Sequence, residues 1–549
     1  MKLKRGISVM LASALALSMI GCGSEAEEAA PAEEAEEMAE KNLVLAENWT
    51  FDAGIYTVLT EQNSANYGAM NYLRNFYDTL VEVKDGEFVP SLAESWTISP
   101  DGRVYTFKIR EGVKFSDGTP LTAEAVKLSI DSAPVNLGIS NGSYGRLTTL
   151  IENTEAPDDN TFVLTLATPY YGTLNDLAMC NPLGIVNPAV LHDDLTYDAE
   201  MAQQASFGTG AYMYEGDFDG QTYTFVRNPY YWGEAPDADT FQIKVIPDND
   251  AKVLALRSGE IDAIIGSAAF SADSYIELSE DEAFATSAAE EGSMTRYIGM
   301  NYSNPIFSDK QVREAMEMAI DRDALANVVF HGTEKPAYSL FDKSKAYCDV
   351  DVKEYAFDVD GANALMEEAG WIDTDGDGVR EKDGQTLELD LKYSSAYGSL
   401  GDAMLAVCEN LGAIGFKVTP TDCPDLMAYM TVMMTGDYDL IEAETYGGLF
   451  DPITVMTNLN PDVSMDPVSV QWTQFIENGP ALLAELDSTA DEDRIQEIYT
   501  TVLQEINEDA LFIPLTTPVE RAAWNPEKVE NYNFYPDCTY TVVANFDLK

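Results

Sequence analysis

Few residues of this chain have the types and spacing that bond-making chemistry requires. Residues 138–142 read G-I-S-N-G and match the G-x-S-x-G pattern that presents a nucleophilic serine, here Ser140. That pattern needs a strand before the serine and a helix after it, whereas Ser-Ala-Pro at 132–134 precedes it. His192 and His331 are the two histidines of the sequence that could act as its base. We therefore expect no catalytic residues, and we keep a secreted serine hydrolase using Ser140 as a competing class.

An acidic loop is the pattern that most resembles a metal site. Residues 373–378 read D-T-D-G-D-G, like the beginning of a calcium-binding EF-hand loop. An EF-hand places a bidentate carboxylate at its twelfth position, which is Gly384 when Asp373 is counted as the first. The loop also lies between a predicted helix and a predicted strand, where the chain must turn. We expect a structural turn here, and no metal ion or cofactor.

The charge balance of the chain is strongly acidic. Asp and Glu number 94 against 32 Lys and Arg, which gives a formal charge of −62, and such a surface repels nucleic acid and anionic lipid. A hydrophobic content of 46% is that of a globular protein, and 549 residues are too many for one hydrophobic core. No C-x-x-C pair exists to indicate a zinc site of that kind. Disulfide pairing stays open for Cys180, Cys348, Cys408, Cys423 and Cys538.

The first residues indicate export. A basic start is followed by an apolar run at 7–20, which is shorter than the roughly 20 residues of a membrane span, and then by Gly21 and Cys22. This arrangement resembles the bacterial lipoprotein box, in which the cysteine is diacylated and becomes the new N-terminus. We expect residues 1–21 to be a lipoprotein signal peptide and residues 22–41 an acidic, flexible tether. An ordinary signal with an incidental cysteine is the alternative.

Strand and helix patterns alternate after the tether. Residues 104–109 alternate apolar and polar side chains, as a half-buried strand does. A helix is predicted to begin at 123, with Thr122 as its N-cap, and another over 308–316. We therefore predict an α/β protein without a transmembrane span.

Several sequence blocks are more specific than composition. Residues 92–123 contain L-A-E-S-W, Y-T-F-K-I-R-E-G-V-K-F-S-D-G-T-P and L-T-A, and closely resemble the signature of the family 5 bacterial solute-binding proteins. These are the extracytoplasmic receptors of oligopeptide, dipeptide and nickel ABC importers. Further blocks resemble the family in the same order along the chain, at residues 208–212, 227–232, 257–262 and 312–322. We interpret most of these blocks as scaffold, because they identify a family without identifying a ligand.

The resemblance implies an α/β, periplasmic-binding-protein-like, two-lobed clamshell of type II (cluster C), with mixed sheets flanked by helices. The implied division is a lobe I core at 42–75, 205–295 and 515–549, a lobe I subdomain at 76–204, and lobe II at 296–514. The hinge crossings are expected near Ser293 and Pro514. The ligand would bind between the lobes, where pockets commonly form.

The resemblance also implies a function. The chain would be a monomeric, lipid-anchored receptor on the extracytoplasmic face of the membrane, periplasmic or at the cell surface. It would deliver a small solute to the permease subunits of an ABC importer, whose cytoplasmic ATPases supply the energy. We expect no enzymatic activity and no cofactor. A solute sensor that signals to a membrane receptor is a further alternative.

Five residues are predicted to contact the ligand. Tyr446 and Phe450 fall where the nickel branch has a tryptophan and a tyrosine, so both keep an aromatic wall. Met70 falls where that branch has a pocket methionine, and Tyr144 and Arg146 lie near its arginine-rich stretch.

The ligand class stays open at this level. Ile453 stands where the nickel pattern has a histidine, which disfavours a metal chelate. Gly448 stands where the dipeptide branch has an aspartate for the ammonium group of the peptide. Glu442 or Glu444 could replace that aspartate, although strand alternation puts both on one face that could equally face solvent. A peptide-like solute is our first expectation, with a nickel or metal chelate second and sugars, polyamines or other solutes after it.

Overall fold

The computed structural model describes residues 40–549 except for 52–53, 58–66, 85, 143–144, 293, 396–399, 424 and 448–451. In these residues the strands are β1 (Asn42–Glu47), β2 (Val81–Lys84), β3 (Glu87–Pro90), β4 (Ala93–Ile98), β5 (Val104–Ile109), β6 (Ile151–Asp158), β7 (Thr161–Leu166), β8 (Tyr212–Phe218), β9 (Thr222–Arg227), β10 (Thr240–Val245), β11 (Ala263–Ile265), β12 (Ala285–Gly292), β13 (Arg296–Met300), β14 (Glu334–Pro336), β15 (Glu381–Lys382), β16 (Gln385–Thr386), β17 (Glu388–Tyr393), β18 (Lys417–Asp422), β19 (Leu440–Glu444), β20 (Phe512–Trp524), β21 (Val529–Tyr532) and β22 (Phe546–Leu548).

The helices in the same residues are α1 (Tyr67–Met70), α2 (Ala123–Leu137), α3 (Leu147–Leu150), α4 (Thr173–Leu177), α5 (Cys180–Leu183), α6 (Ala199–Ala202), α7 (Asn249–Ser258), α8 (Ala272–Glu280), α9 (Lys310–Ala319), α10 (Arg322–Ala324), α11 (Val359–Glu368), α12 (Leu400–Gly412), α13 (Leu426–Thr435), α14 (Ile453–Leu459), α15 (Gly479–Leu486) and α16 (Glu492–Glu508). Strand β5 has the predicted limits. Helix α2 begins as predicted, because the Thr122 side chain accepts a hydrogen bond from the Ala125 amide.

One large mixed sheet runs through the protein in the order β8-β9-β10-β1-β11-β20-β13-β19-β17-β18, and β12 and β14 also pair with β20. We call the part from β8 to β11, together with β12, the first half-sheet. The part from β13 to β18, together with β14, is the second half-sheet. Pairing is parallel between β1 and β10 and between β17 and β18, and antiparallel between β13 and both of its neighbours. The prediction of an α/β fold with mixed sheets is confirmed.

Strand β20 connects the two half-sheets. Its first residues, from Phe512 to Thr516, pair with β13, and its last residues, from Val519 to Trp524, pair with β12. The chain passes between the halves a second time after β12, which ends at Gly292, and before β13. Ser293, the first predicted hinge crossing, lies outside the described residues. The lobe boundaries and the hinge positions stay predictions.

A smaller antiparallel sheet, β4-β5-β7-β6, forms a separate layer that packs against helix α2. We call this layer the small-sheet body. Its apolar cluster contains alternating residues of β5 and β7, such as Phe107 and Phe162, and the buried face of α2. Two other apolar clusters pack on opposite faces of the second half-sheet. Ile298 of β13 belongs to one cluster, and its neighbour Tyr297, which points to the other face, belongs to the second. The small-sheet body therefore has its own core.

The block at residues 208–212 has a structural reason. A Cβ on Gly208 would lie 2.0 Å from the Phe76 carbonyl oxygen, and one on Gly210 would lie 2.6 Å from that of Asn75. The Gly210 amide donates to the Phe76 carbonyl at 2.9 Å. Only glycine allows the two backbones to approach this closely. This supports our interpretation of the block as scaffold.

Two further properties of the described residues concern membrane-spanning helices and disulfides. None of their helices combines the length and the apolar character that a membrane crossing needs. No disulfide joins the five cysteines among them, of which Cys180, Cys348 and Cys423 are buried.

Candidate functional site

The structure describes three of the six residues to which we assigned a role. Cys22, Tyr144 and Phe450 lie outside the described residues. Met70 is half-buried at the end of α1, Arg146 directly precedes α3 without a side-chain capping hydrogen bond, and Tyr446 follows β19 by two residues.

Tyr446 presents part of its ring while its hydroxyl is held in place. The residue is 39% exposed. Its hydroxyl accepts a hydrogen bond of 3.0 Å from the Asn458 side chain on α14, and Asn458 is itself fixed by the Met465 amide at 2.8 Å. An aromatic ring held in this way is suited to stacking against a ligand.

A charged group lies beside this segment. Arg296 at the beginning of β13 pairs with Glu444 of β19, and it lies 3.3 Å from Glu334 of β14 and 3.9 Å from Glu442 of β19. The strand register brings these side chains together, because Arg296 is opposite Glu444 and Ile298 is opposite Glu442. Glu442 is buried, so the face it shares with Glu444 is not simply a solvent-facing one.

The group contains more acid than base. Glu334, Glu442 and Glu444 surround the Arg296 guanidinium, the Arg521 guanidinium also interacts electrostatically with Glu334, and Glu334 is additionally held by the Thr516 hydroxyl at 2.6 Å. Burial is the main cause that raises the pKa of Glu442 above its usual value, followed by repulsion from Glu444. Such a group favours the approach of an additional positive charge.

Sequence reasoning named the two glutamates of β19 but missed Arg296 and Glu334. The available signal was an arginine in the otherwise apolar strand β13.

Ile453 occupies the position of the histidine in the nickel pattern. Its side chain is buried in the apolar cluster of the small-sheet body. A Cβ on Gly172 of that body would lie 2.9 Å from the Ile453 methyl group. An aliphatic side chain offers no metal ligand, so the position serves packing here.

Arg146 has an acidic partner within the protein. Its Nη1 atom donates to Asp487 at 2.8 Å, and Asp487 follows helix α15 on the second half-sheet. A ligand contact of Arg146, as we predicted it, would therefore be made by a guanidinium that is already paired with Asp487.

The catalytic alternative finds no support in the local structure. Ser140 ends a short 3-10 turn that directly follows helix α2, so no strand leads into it as a nucleophile elbow requires. His331 pairs through Nε2 with Asp273 at 2.7 Å.

The acidic loop forms the predicted turn. The carboxylate of Asp373 accepts hydrogen bonds from the amides of Gly376 and Gly378, at 2.6 and 3.0 Å. The exposed side chains of Asp375 and Asp377 lie close by, with ligand atoms within 4.8 Å of one another and of Asp373. Asp373 thus closes the turn.

Mildly acidic solution is expected to stabilise the protein through Asp176. This residue is 1% exposed, and burial raises the pKa of its carboxyl to about 7. Between its usual pKa of 3.8 and that value, the folded protein holds a proton that the unfolded chain has lost. Stability therefore falls as the pH rises through this interval. We expect a higher melting temperature at pH 5 than at pH 8.

The contribution of Asp176 can be isolated by substitution. Asp176→Asn should reduce the difference between the two melting temperatures, whereas the exposed Asp402→Asn should leave it unchanged. A melting temperature that rises from pH 5 to pH 8, or an unchanged difference in Asp176→Asn, would contradict this assignment.

Comparisons with known proteins agree with this architecture. Residues 87–466 match the sequence model of the bacterial extracellular solute-binding proteins, family 5 Middle. The chain is 28% identical to the nickel-binding periplasmic protein of Escherichia coli, over 80% of this chain and 83% of that protein. It is 27% identical to the oligopeptide-binding protein AppA of Bacillus subtilis, over 81% of each. The structure of NikA from Brucella suis in complex with Fe(III)-EDTA superposes with a TM-score of 0.84 at 28% identity, covering 93% of this chain and all of that one.

The fold and the sheet arrangement define a two-lobed protein of the periplasmic-binding-protein class. The chain belongs to the family 5 bacterial extracellular solute-binding proteins. It is a transport binding protein and not an enzyme, as predicted.

Proposed function

We propose that the protein is the lipid-anchored receptor of an ABC importer and that it captures a peptide-like solute between its lobes. Cys22 carries the lipid and residues 22–41 form the tether. The monomeric receptor delivers its ligand to permease subunits with cytoplasmic ATPases. The lobe I core comprises residues 42–75, 205–295 and 515–549, the subdomain 76–204 and lobe II 296–514. The ligand site includes Met70, Tyr144, Arg146, Tyr446 and Phe450.

The excess of carboxylates around Arg296 carries the assignment to a peptide. Glu444 ends the strand that leads into Tyr446, and its side chain is 23% exposed. A peptide brings an ammonium group, which this acidic neighbourhood attracts, and an extended backbone with side chains that aromatic walls accept. Gly448 replaces the aspartate of the dipeptide branch, so the charge is supplied by neighbouring glutamates.

A metal chelate is the second candidate. The nickel-binding relative from Escherichia coli and the superposition on NikA with bound Fe(III)-EDTA favour it. The isoleucine at 453 counts against it, because an imidazole ligand is replaced by a packed aliphatic side chain.

Native mass spectrometry of the purified protein, followed by calorimetry, distinguishes the two candidates. The calorimetric probes are a defined mixture of di- to pentapeptides, NiCl2 and Fe(III)-EDTA. We expect a co-purified peptide mass and saturable heat with the peptide mixture alone. Saturable binding of Fe(III)-EDTA or nickel without any response to peptides would replace the peptide assignment by the chelate.

Removal of the aromatic wall tests the site. Tyr446→Ala is expected to weaken binding of the co-purified solute by about 1–3 kcal/mol, the range of a buried contact residue. Phe450→Ala should act similarly. Tyr446→Phe is the matched control, because it keeps the ring and loses only the hydroxyl that Asn458 contacts. Equal calorimetric affinity in Tyr446→Ala and in the unmodified protein would remove Tyr446 from the site.

A further inference from the structure

An ion pair connects two bodies whose apolar clusters are distinct except at Ile453 of α14, which packs into the cluster of the small-sheet body. Arg146 belongs to the small-sheet body and Asp487 to the helices on the second half-sheet, 341 residues apart in sequence. The Arg146 Nη1 atom lies 2.8 Å from the Asp487 Oδ2 atom, and the two side chains are only 13% and 8% exposed. Removing one partner of such a short, shielded, charge-assisted bond costs far more than removing one partner of an ion pair in open solvent.

Each partner is held in place by its own body. The Leu147 amide, next to Arg146, donates to the buried Asp176 carboxylate at 2.9 Å. Gly145 has a positive φ of 91°, and a Cβ there would lie 2.4 Å from the Asp176 carboxyl carbon. Asp487 accepts a second hydrogen bond, of 2.7 Å, from the Asn460 side chain of its own body. Contacts within each body therefore hold the two charged side chains in position, whether or not the bodies are in contact.

Other contacts accompany the ion pair along the same seam. The hydroxyls of Tyr171 and Tyr499 are 2.9 Å apart, and the Tyr171 ring lies 5.9 Å from that of Tyr347. Tyr171 adjoins the small-sheet body, whereas the other two tyrosines belong to the second half-sheet. These contacts exist only while the two bodies are together.

We propose that Arg146 and Asp487 form a closure pair that sets ligand affinity by stabilising the closed arrangement of the two bodies. This role, which operates through Asp487, is additional to the ligand contact proposed for Arg146 above. The inference rests on the proposed capture of a ligand between lobes. In an open form both charges would be hydrated, whereas in the closed form each replaces the water of the other. Losing one partner leaves the other buried and unpaired, which penalises only the closed form.

The size of the effect follows from the kind of bond. A charge-assisted hydrogen bond of this type changes an equilibrium by about ten- to a hundredfold. We expect the ratio of closed to open protein to fall by this factor in Arg146→Met or Asp487→Asn. The apparent ligand affinity falls by the same factor, because the population of the closed arrangement, which binds the ligand, is reduced by that factor.

Disulfide trapping reports closure without any ligand. A Cβ on Gly102, in the turn between β4 and β5, would lie 2.9 Å from the Cβ of Ala490 on the opposite body. Thiols introduced by Gly102→Cys and Ala490→Cys can therefore join after a small adjustment when the bodies are closed. In ligand-free protein, which we expect to be mainly open, the rate of joining under a fixed concentration of diamide is proportional to the ratio of closed to open protein, and mass spectrometry identifies the bond. Val83→Cys with Phe88→Cys, across the β2–β3 hairpin, is the control pair that does not depend on closure.

A double-mutant cycle in this reporter tests the proposal. Arg146→Met and Asp487→Asn should each slow trapping about ten- to a hundredfold, and the double variant should be no slower than either alone. Arg146→Lys should restore part of the rate, and the hairpin control pair should react equally in all variants. Full-speed trapping in Asp487→Asn, or additive effects in the double variant, would overturn the closure pair.

The result is independent of the identity of the ligand. Trapping is measured on protein freed of ligand by unfolding and refolding, so a failed peptide assignment leaves the outcome unchanged. If a variant slows the hairpin control as well, its fold is disturbed. In that case the test rests on Asp487→Asn, which keeps the shape of the side chain beside Asn460. The quantity compared is the trapping rate of the Gly102–Ala490 cysteine pair divided by that of the hairpin control pair.

Discussion

Replacing Arg322 with methionine is expected to lower the free energy of unfolding by about 3–5 kcal/mol. Arg322 is 2% exposed and pairs with the equally buried Glu317. Its Nε atom also donates to the Pro514 carbonyl oxygen at 2.7 Å, which fixes the strand that connects the two half-sheets. Burial raises the pKa of Glu317 to about 7 even with the arginine present. Without its partner, Glu317 has to bury either an uncompensated carboxylate or, once protonated, a carboxyl group that has lost its hydrogen-bond partner.

Urea unfolding measures the effect, and two further variants identify its cause. Glu317→Gln combined with Arg322→Met should lose less stability than Arg322→Met alone, because no buried charge remains. Arg494→Met is the exposed control, since Arg494 pairs with Glu485 and Glu497 at the surface, and it should lower the stability far less than Arg322→Met does. A loss below about 1 kcal/mol in Arg322→Met would show that the pair is not the structural element described.

Replacing Cys22 with serine is expected to move the protein from the membrane fraction to the medium or the periplasm. Stable anchoring needs about two acyl chains, and serine offers no thiol to receive them. Fractionation of cells followed by immunoblotting measures the shift, and labelling with a radioactive fatty acid shows the loss of the lipid.

Cys408→Ser is the matched control for the anchoring experiment. Cys408 lies on α12 and is half-buried, so its loss removes a thiol without touching the N-terminus. This variant should remain in the membrane fraction and keep its fatty acid label. Retention of Cys22→Ser at the membrane, with the label still present, would contradict acylation at Cys22.

Local elements were largely predictable because their causes lie within a few residues of one another. The alternation over 104–109 predicted β5, and Thr122 supplies the N-cap of α2. The helix predicted over 308–316 begins at Lys310, since the side chain of Asp309 accepts the first amide hydrogen bond instead of Ser308. Such shifts of one or two residues arise where neighbouring residues compete for one cap.

Family membership was also contained in the sequence, because close backbone approaches and tight turns demand particular residues. Gly208 and Gly210 are required where any side chain would meet the backbone of residues 75 and 76. The sequence likewise showed that Ile453 cannot be a metal ligand. Tyr446 was proposed because it stands where the nickel branch has a tryptophan, and the structure adds the contact with Asn458 that orients it.

Groupings of charge, in contrast, were decided by the tertiary structure. Arg296, Glu334 and Glu444 come from three strands, and only the pairing of β13 with β19, and of β13 and β14 with β20, brings them together. Arg146 was proposed as a ligand residue without any sign of Asp487, because a partner 341 residues away leaves no local pattern. Periodicity and capping act through neighbouring residues, so the sequence alone determined the elements and the family. The electrostatic environment of the site depends on strand register and on the meeting of separate bodies, and this only the folded chain decides.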